Sequence, residues 1–300
     1  MKRIIRQILL SSANLIDSII SNFQQRILPQ GATIEAIPCV TTVLTVLDNQ
    51  ALLSSATFVL VPSGYKSGSI YAELPNNGNG DLTYTRGTPA TRVNSAGVIE
   101  SVASGVPQID YSLGGCPVLL LEPQRRNLLL NSATLSTQSI TTVATTYTLS
   151  FYGTGTVTLS GTYSGSLVGT GASNRVTLTF TATAGTLTAT VSGTVTNAQI
   201  EDNGTNGAAN YATSYIPTTG VPASRAIGGF TRNNVYTNGL ISSSGGTWFI
   251  EIKNNISLTR DASNIGIALS DNGVANAVGI NNSSNSFLTA FNTFSLSVFI

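Results

Sequence analysis

The sequence predicts a mainly β fold: one N-terminal α-helix, then tandem small antiparallel β-sandwich or jelly-roll modules. Three observations carry that expectation. Apolar and hydroxyl residues alternate with period two between residues 156 and 191, as half-buried antiparallel strands require. Glycines such as Gly153, Gly161, Gly171, Gly185 and Gly193 punctuate those runs where turns are needed. Charged residues are only 9% of the chain, against about 25% in ordinary globular proteins. Thr and Ser take their place, and Thr suits a strand while keeping its surface wet.

The composition also excludes function classes. The chain has 300 residues, is 41% hydrophobic and carries a net charge of +1. Its mean hydropathy is +0.20, which argues for an ordered chain of two or three domains. Histidine is absent, which removes Ser-His-Asp and Cys-His catalysis and imidazole metal sites. Two cysteines, Cys39 and Cys116, cannot make a four-thiolate zinc site or a disulfide framework. They read as free, buried small residues, with a mutual disulfide as the alternative. Near-neutral charge removes the electrostatic basis for nucleic-acid binding. No window is long and apolar enough for a membrane span. The basic start at Met1–Leu10 breaks at Ser11, Ser12 and Asn14, with no cleavage site after it. It reads as no signal peptide, in a chain made in the cytoplasm.

Residues 2–28 form the predicted helix, within a segment 1–31 closed by Pro29 and Gly31. Ile5, Leu9, Ile16, Ile19 and Phe23 lie on one heptad-compatible apolar stripe. Such a stripe needs a cover: its own domain, an oligomeric bundle or anchor, or a membrane surface. The second segment, 32–131, holds strand-like runs at Val40–Leu47, Ala56–Val61 and Val118–Leu121. It also holds Asp81, Arg86, Arg92, Glu100, Asp110, Glu122, Arg125 and Arg126. From Asn127 to Asn174 no side chain is charged, and Arg175 stands alone before Glu201. This stretch is the core of a β-sandwich over 132–220. A Pro/Gly/Asn/Ser-rich linker follows at 221–246. Beyond it, strands are expected at Thr247–Lys253, Ile265–Leu269, Ala277–Ile280 and Phe287–Phe291, within a final segment 247–300. That segment is short for a sandwich, so it reads as part of a longer protein or as completed by neighbouring chains.

Several segments, in this order, resemble a known family. Asp81-Leu-Thr-Tyr-Thr-Arg86, Ala90–Glu100, Pro107–Tyr111 and Cys116–Asn127 look like a module of bacteriophage fibre proteins. Tyr147–Gly155, Ala198-Gln-Ile-Glu201 and Ala212-Thr-Ser-Tyr-Ile-Pro-Thr218 resemble the small β-sandwich of phage head spikes and tail fibres. Thr247–Lys253 is similar to the first strand of a concanavalin-like or laminin-G-like sandwich. The resemblance covers roughly residues 57–253. It implies a structural virion component, a homotrimeric head or tail fibre or spike anchored to capsid or tail proteins by its N-terminal region. Its β-modules would project toward the host surface, with a host glycan met by a distal region.

A glycan depolymerase needs two carboxylates about 5–10 Å apart. Glu100, Asp110 and Glu122 are the candidates, but Arg86, Arg92, Arg125 and Arg126 lie near them in sequence, and structural ion pairing is the simpler reading. Asp202-Asn-Gly204 and Asp271-Asn-Gly273 read as turns, since neither has calcium-loop spacing. Tyr147, Tyr152, Tyr163, Tyr211, Tyr215 and Trp248 are candidate glycan-stacking aromatics, with core packing as the plain alternative. No catalytic residue, cofactor or metal is expected. A carbohydrate-binding adhesin module is the second reading and a depolymerase spike the third.

Overall fold

The computed structural model describes residues 33–34, 56–60, 64–112, 117–235, 237–241, 266–270 and 277–281. The predicted helix with Ile5, Leu9, Ile16, Ile19 and Phe23 lies outside them, as do Cys39, Cys116, Trp248 and Asp271–Gly273. The expected strands at 40–47, 247–253 and 287–291 also lie outside them. Among the described residues the fold is mainly β, with several antiparallel sheets and no helix.

The first strands are short. They are β1 (Thr33–Ile34), β2 (Gly64–Lys66), β3 (Ser69–Ile70) and β4 (Leu82–Thr85). β2 and β3 form a hairpin around Ser67-Gly68, where Gly68 takes a φ of 80° that costs glycine little. Two further hairpins follow: β5 (Ala90–Val93) with β6 (Ile99–Val102), and β7 (Ile109–Asp110) with β8 (Val118–Leu119). The β5–β6 turn is set by Asn94, whose Oδ1 accepts from the Ala96 and Val98 amides at 3.0 Å each. Among the described residues of the run expected over 56–61, the strand pairing is a single bridge, Val59 to Leu74. Phe58 and Leu60 instead pack on a small core of Ile70, Leu82 and Tyr84.

The next nine strands are β9 (Arg125–Asn127), β10 (Gln138–Thr142), β11 (Thr145–Gly153), β12 (Thr156–Gly161), β13 (Gly165–Val168), β14 (Gly171–Ala182), β15 (Gly185–Ser192), β16 (Val195–Asp202) and β17 (Ala223–Arg225). One sheet has the order β14-β11-β16-β9-β17 and the other β10-β15-β12-β13. Leaving out β17, this is the strand order of an eight-stranded jelly roll, two interlocked Greek keys. Alternation puts Tyr147, Leu149 and Phe151 of β11 against Val157 and Leu159 of β12 and Leu187 of β15 in one core. Each such side chain contributes about 1.5–3 kcal/mol by leaving water. Tyr163 closes one end, stacked on Phe180 with ring centroids 4.6 Å apart.

The chain then returns to its starting sheet. β18 (Gly229–Thr231) pairs with β4, Phe230 opposite Tyr84, and the Thr57 hydroxyl donates to the Leu240 carbonyl at 2.7 Å. The jelly roll is therefore inserted between β8 and β18. It is entered and left through adjacent strands, since β17 pairs with β9 from Ala223–Asn127 to Arg225–Arg125. Strands β9 and β17 fall outside the expected 132–220 module, and β17 and β18 fall within the expected linker. Two last strands, β19 (Gly266–Ser270) and β20 (Ala277–Asn281), form a hairpin close to the expected positions.

Candidate functional site

One face of the β14-β11-β16-β9-β17 sheet looks into the core, and its back should be wet. Instead Thr148, Ser150, Gln199 and Glu201, which point away from the core, are all buried. The chain after β16 crosses the back of the sheet and covers them. The Ala209 amide donates to the Thr146 carbonyl, and the Thr148 hydroxyl donates to the Ala209 carbonyl at 2.7 Å. This strap continues through Thr213–Thr218, so a polar seam is sealed beneath it.

The seam begins at Arg86, 3% exposed. Its guanidinium donates to the carbonyls of Thr88, Val102, Ala103 and Val106, the Tyr84 hydroxyl and the Gln108 Oε1. Five N–H donors thus find oxygens, as burial demands. Gln108 passes the chain on: its amide donates to the Thr91 carbonyl, to Glu122 and to the Ser214 hydroxyl. Glu122 also accepts from the Ser214 amide and hydroxyl, each at 2.6 Å, and pairs with Arg225 at 3.0 Å. Arg225 in turn donates to the Ser214 and Pro123 carbonyls.

The second half lies on β16. Gln199 donates to Glu201 and to the Thr213 carbonyl, and its Oε1 accepts from the Ile216 amide at 2.9 Å. Glu201 accepts from the Thr213 amide and hydroxyl. Burial pushes the Glu201 carboxyl above its ordinary range, against the pull of the Arg175 guanidinium. Arg175, the lone charge of its stretch, donates to the Ser150 hydroxyl at 2.8 Å. Beside them Asn127 donates to the Ala198 and Ile216 carbonyls. Ser132 exchanges bonds with the Thr218 backbone and side chain and meets the Tyr215 hydroxyl at 2.7 Å.

The predicted carboxylates have separate occupations. Glu100 pairs with Arg92 at 2.7 Å and accepts from Asn94. The Asn94 amide, joined by Arg92, holds Glu100 below the usual carboxylate range. Asp110 accepts from the Val93 amide at 2.7 Å and from the Ser112 amide at 2.8 Å. Glu122 belongs to the seam. Arg126 pairs with Asp202 and also donates to Asn206, so a guanidinium sits in the 202–207 turn. The turn itself is an Asx turn, with Asp202 accepting from the Gly204 amide.

The candidate aromatics among the described residues are packed. Tyr147 and Tyr215 are buried, and Tyr163 stacks on Phe180. Tyr211 lies under the Arg125 guanidinium at 4.8 Å, and Tyr152 is half-buried. Among the described residues no aromatic side chain is exposed. Sequence reasoning missed Arg225, Gln108, Gln199 and Ser214 as seam members. The available signal was isolation, because a single charge in a charge-poor run, such as Arg225, commonly has a buried partner. Chemically the seam can hold segments in register: its carboxylates and amides face donors within the protein. No family model, curated protein or solved structure matches the chain.

Proposed function

We propose that this chain is a structural component of a bacteriophage virion, a homotrimeric head or tail fibre or spike. Its N-terminal region anchors it to capsid or tail proteins, and its β-modules project toward the host surface. The observation that supports this best is where the fibre-like motifs fall. Ala198–Glu201, Ala212–Thr218 and the Glu122–Asn127 end of the earlier motif are the segments hydrogen-bonded to one another in the buried seam. Motifs of that kind serve architecture rather than turnover, as a stalk requires.

The charge-poor, Thr-faced jelly roll suits the same role, because hydroxyl-faced strands stay wetted in the free chain yet carry no charge that must be dehydrated when copies associate. Sedimentation of the purified chain tests the assembly. A mass three times the 31.1 kDa of one chain is expected; a folded monomer at every concentration would overturn the homotrimer. A glycan array probes the competing adhesin reading. Silence is expected, and specific sugar binding would replace the stalk with a carbohydrate-binding module.

A further inference from the structure

The two outer faces of the jelly roll are treated differently. The strap roofs the back of β11 and β16 and leaves the Thr177, Thr179 and Thr181 edge of β14 exposed, whereas no described residue covers the back of β10-β15-β12-β13. On that open face the register aligns hydroxyls across strands. Ser139 stands opposite Thr188, and Thr158 stands between Thr190 and Ser166. Thr158, Thr190, Ser166 and Ser139 are exposed, and Val168 on the same face is 57% exposed. None of the four strands contains an Asp, Glu, Lys or Arg.

We infer that this face is where copies of the chain pack on one another. The inference rests on the homo-oligomeric reading above and assigns its surface. Four strands of solvent-facing sheet without one charge have no ion to dehydrate when a partner docks. Depletion of charge is a compositional mark of an interface centre.

The occupant follows from the same chemistry. A hydroxyl both donates and accepts, so a hydroxyl face can satisfy a copy of itself without matching charges. A charged partner would find no counter-ion here, whereas another copy carries charge on only 9% of its residues. The molecule also shows how its hydroxyl faces are covered. On the other sheet, Thr148 and Thr179 donate to the Ala209 and Asn210 carbonyls of an uncharged segment.

The test places one charge on the face of the full chain. Thr158→Lys and Thr190→Glu are made singly, with Thr83→Lys on exposed β4 as the control, and circular dichroism checks each fold. The oligomer is expected to need about thirtyfold more protein to assemble in either face variant, as a buried unpaired charge implies. The control should assemble like the wild type. Face variants that assemble normally would overturn this surface and leave the oligomer standing. A wild-type monomer would overturn the oligomeric reading and this surface with it. If a face variant misfolds, hydrogen exchange of wild type at low and high concentration decides. Protection gained on β12 and β15 supports the surface, and unchanged exchange there overturns it.

Discussion

Arg86 concentrates the logic of this molecule in one side chain. It is buried, and its partners are carbonyls, a hydroxyl and an amide oxygen. Truncation would strand several of those oxygens, each at about 1–3 kcal/mol. Arg86→Ala should therefore lower stability by about 3 kcal/mol or more in urea titration, and Arg86→Lys should recover only part. Glu201 makes a different prediction. Its folded pKa lies above its unfolded one, so the folded chain holds the proton more tightly. Its contribution is then most favourable below the ordinary carboxylate range. It is lost as pH rises through the raised value. Glu201→Gln can still accept from Gln199 and Thr213 while donating to the Thr213 hydroxyl. It should flatten that slope in thermal melts at stepped pH, whereas Glu201→Ala should destabilise at every pH. Sequence alone placed Glu100, Asp110 and Glu122 near arginines and pointed to ion pairing without assigning partners; Arg92–Glu100 forms locally, across neighbouring β5 and β6. The Glu122–Arg225 pair was not legible, because it joins residues about a hundred positions apart that the pairing of β17 with β9 brings together.

At the scale of elements, the period-two runs located β12, β14 and β15 and their core faces, because alternation and burial have one cause. The strap was invisible for the same reason: it has no periodicity and buries polar atoms through backbone bonds. Two positions depend on glycine in different ways. Gly153 has a φ of 121°, and a Cβ there would meet the Thr194 carbonyl oxygen at 2.2 Å. Gly220 has a φ of 72° with open space around it. Gly220→Ala should cost about 1–2 kcal/mol from the left-handed backbone alone. Gly153→Ala should cost clearly more, because the β11–β12 corner must also move. Parallel melts of the two variants check the order.

For the whole molecule, the sequence suggests modules in a row, while the chain inserts one into another. Turn-rich composition marks 221–246 as a connection, and composition carries no sign that β17 and β18 will pair backward with β9 and β4, far earlier in the chain. The pairing of β9 with β17 and the seam tie the two parts together. Residues 64–231 should therefore unfold in one transition. Glu122→Ala, which leaves Arg225 without its carboxylate at a cost of about 3–5 kcal/mol, should split that transition in calorimetry. The proposed stalk on a particle fits a charge-poor jelly roll tied to its host sheet by a buried polar seam. The most direct test of that claim is immunogold labelling of intact phage particles with an antibody to residues 125–225. The account predicts gold on projections of the capsid or tail of purified particles. Unlabelled particles, with the chain found in the host envelope or medium instead, would contradict it.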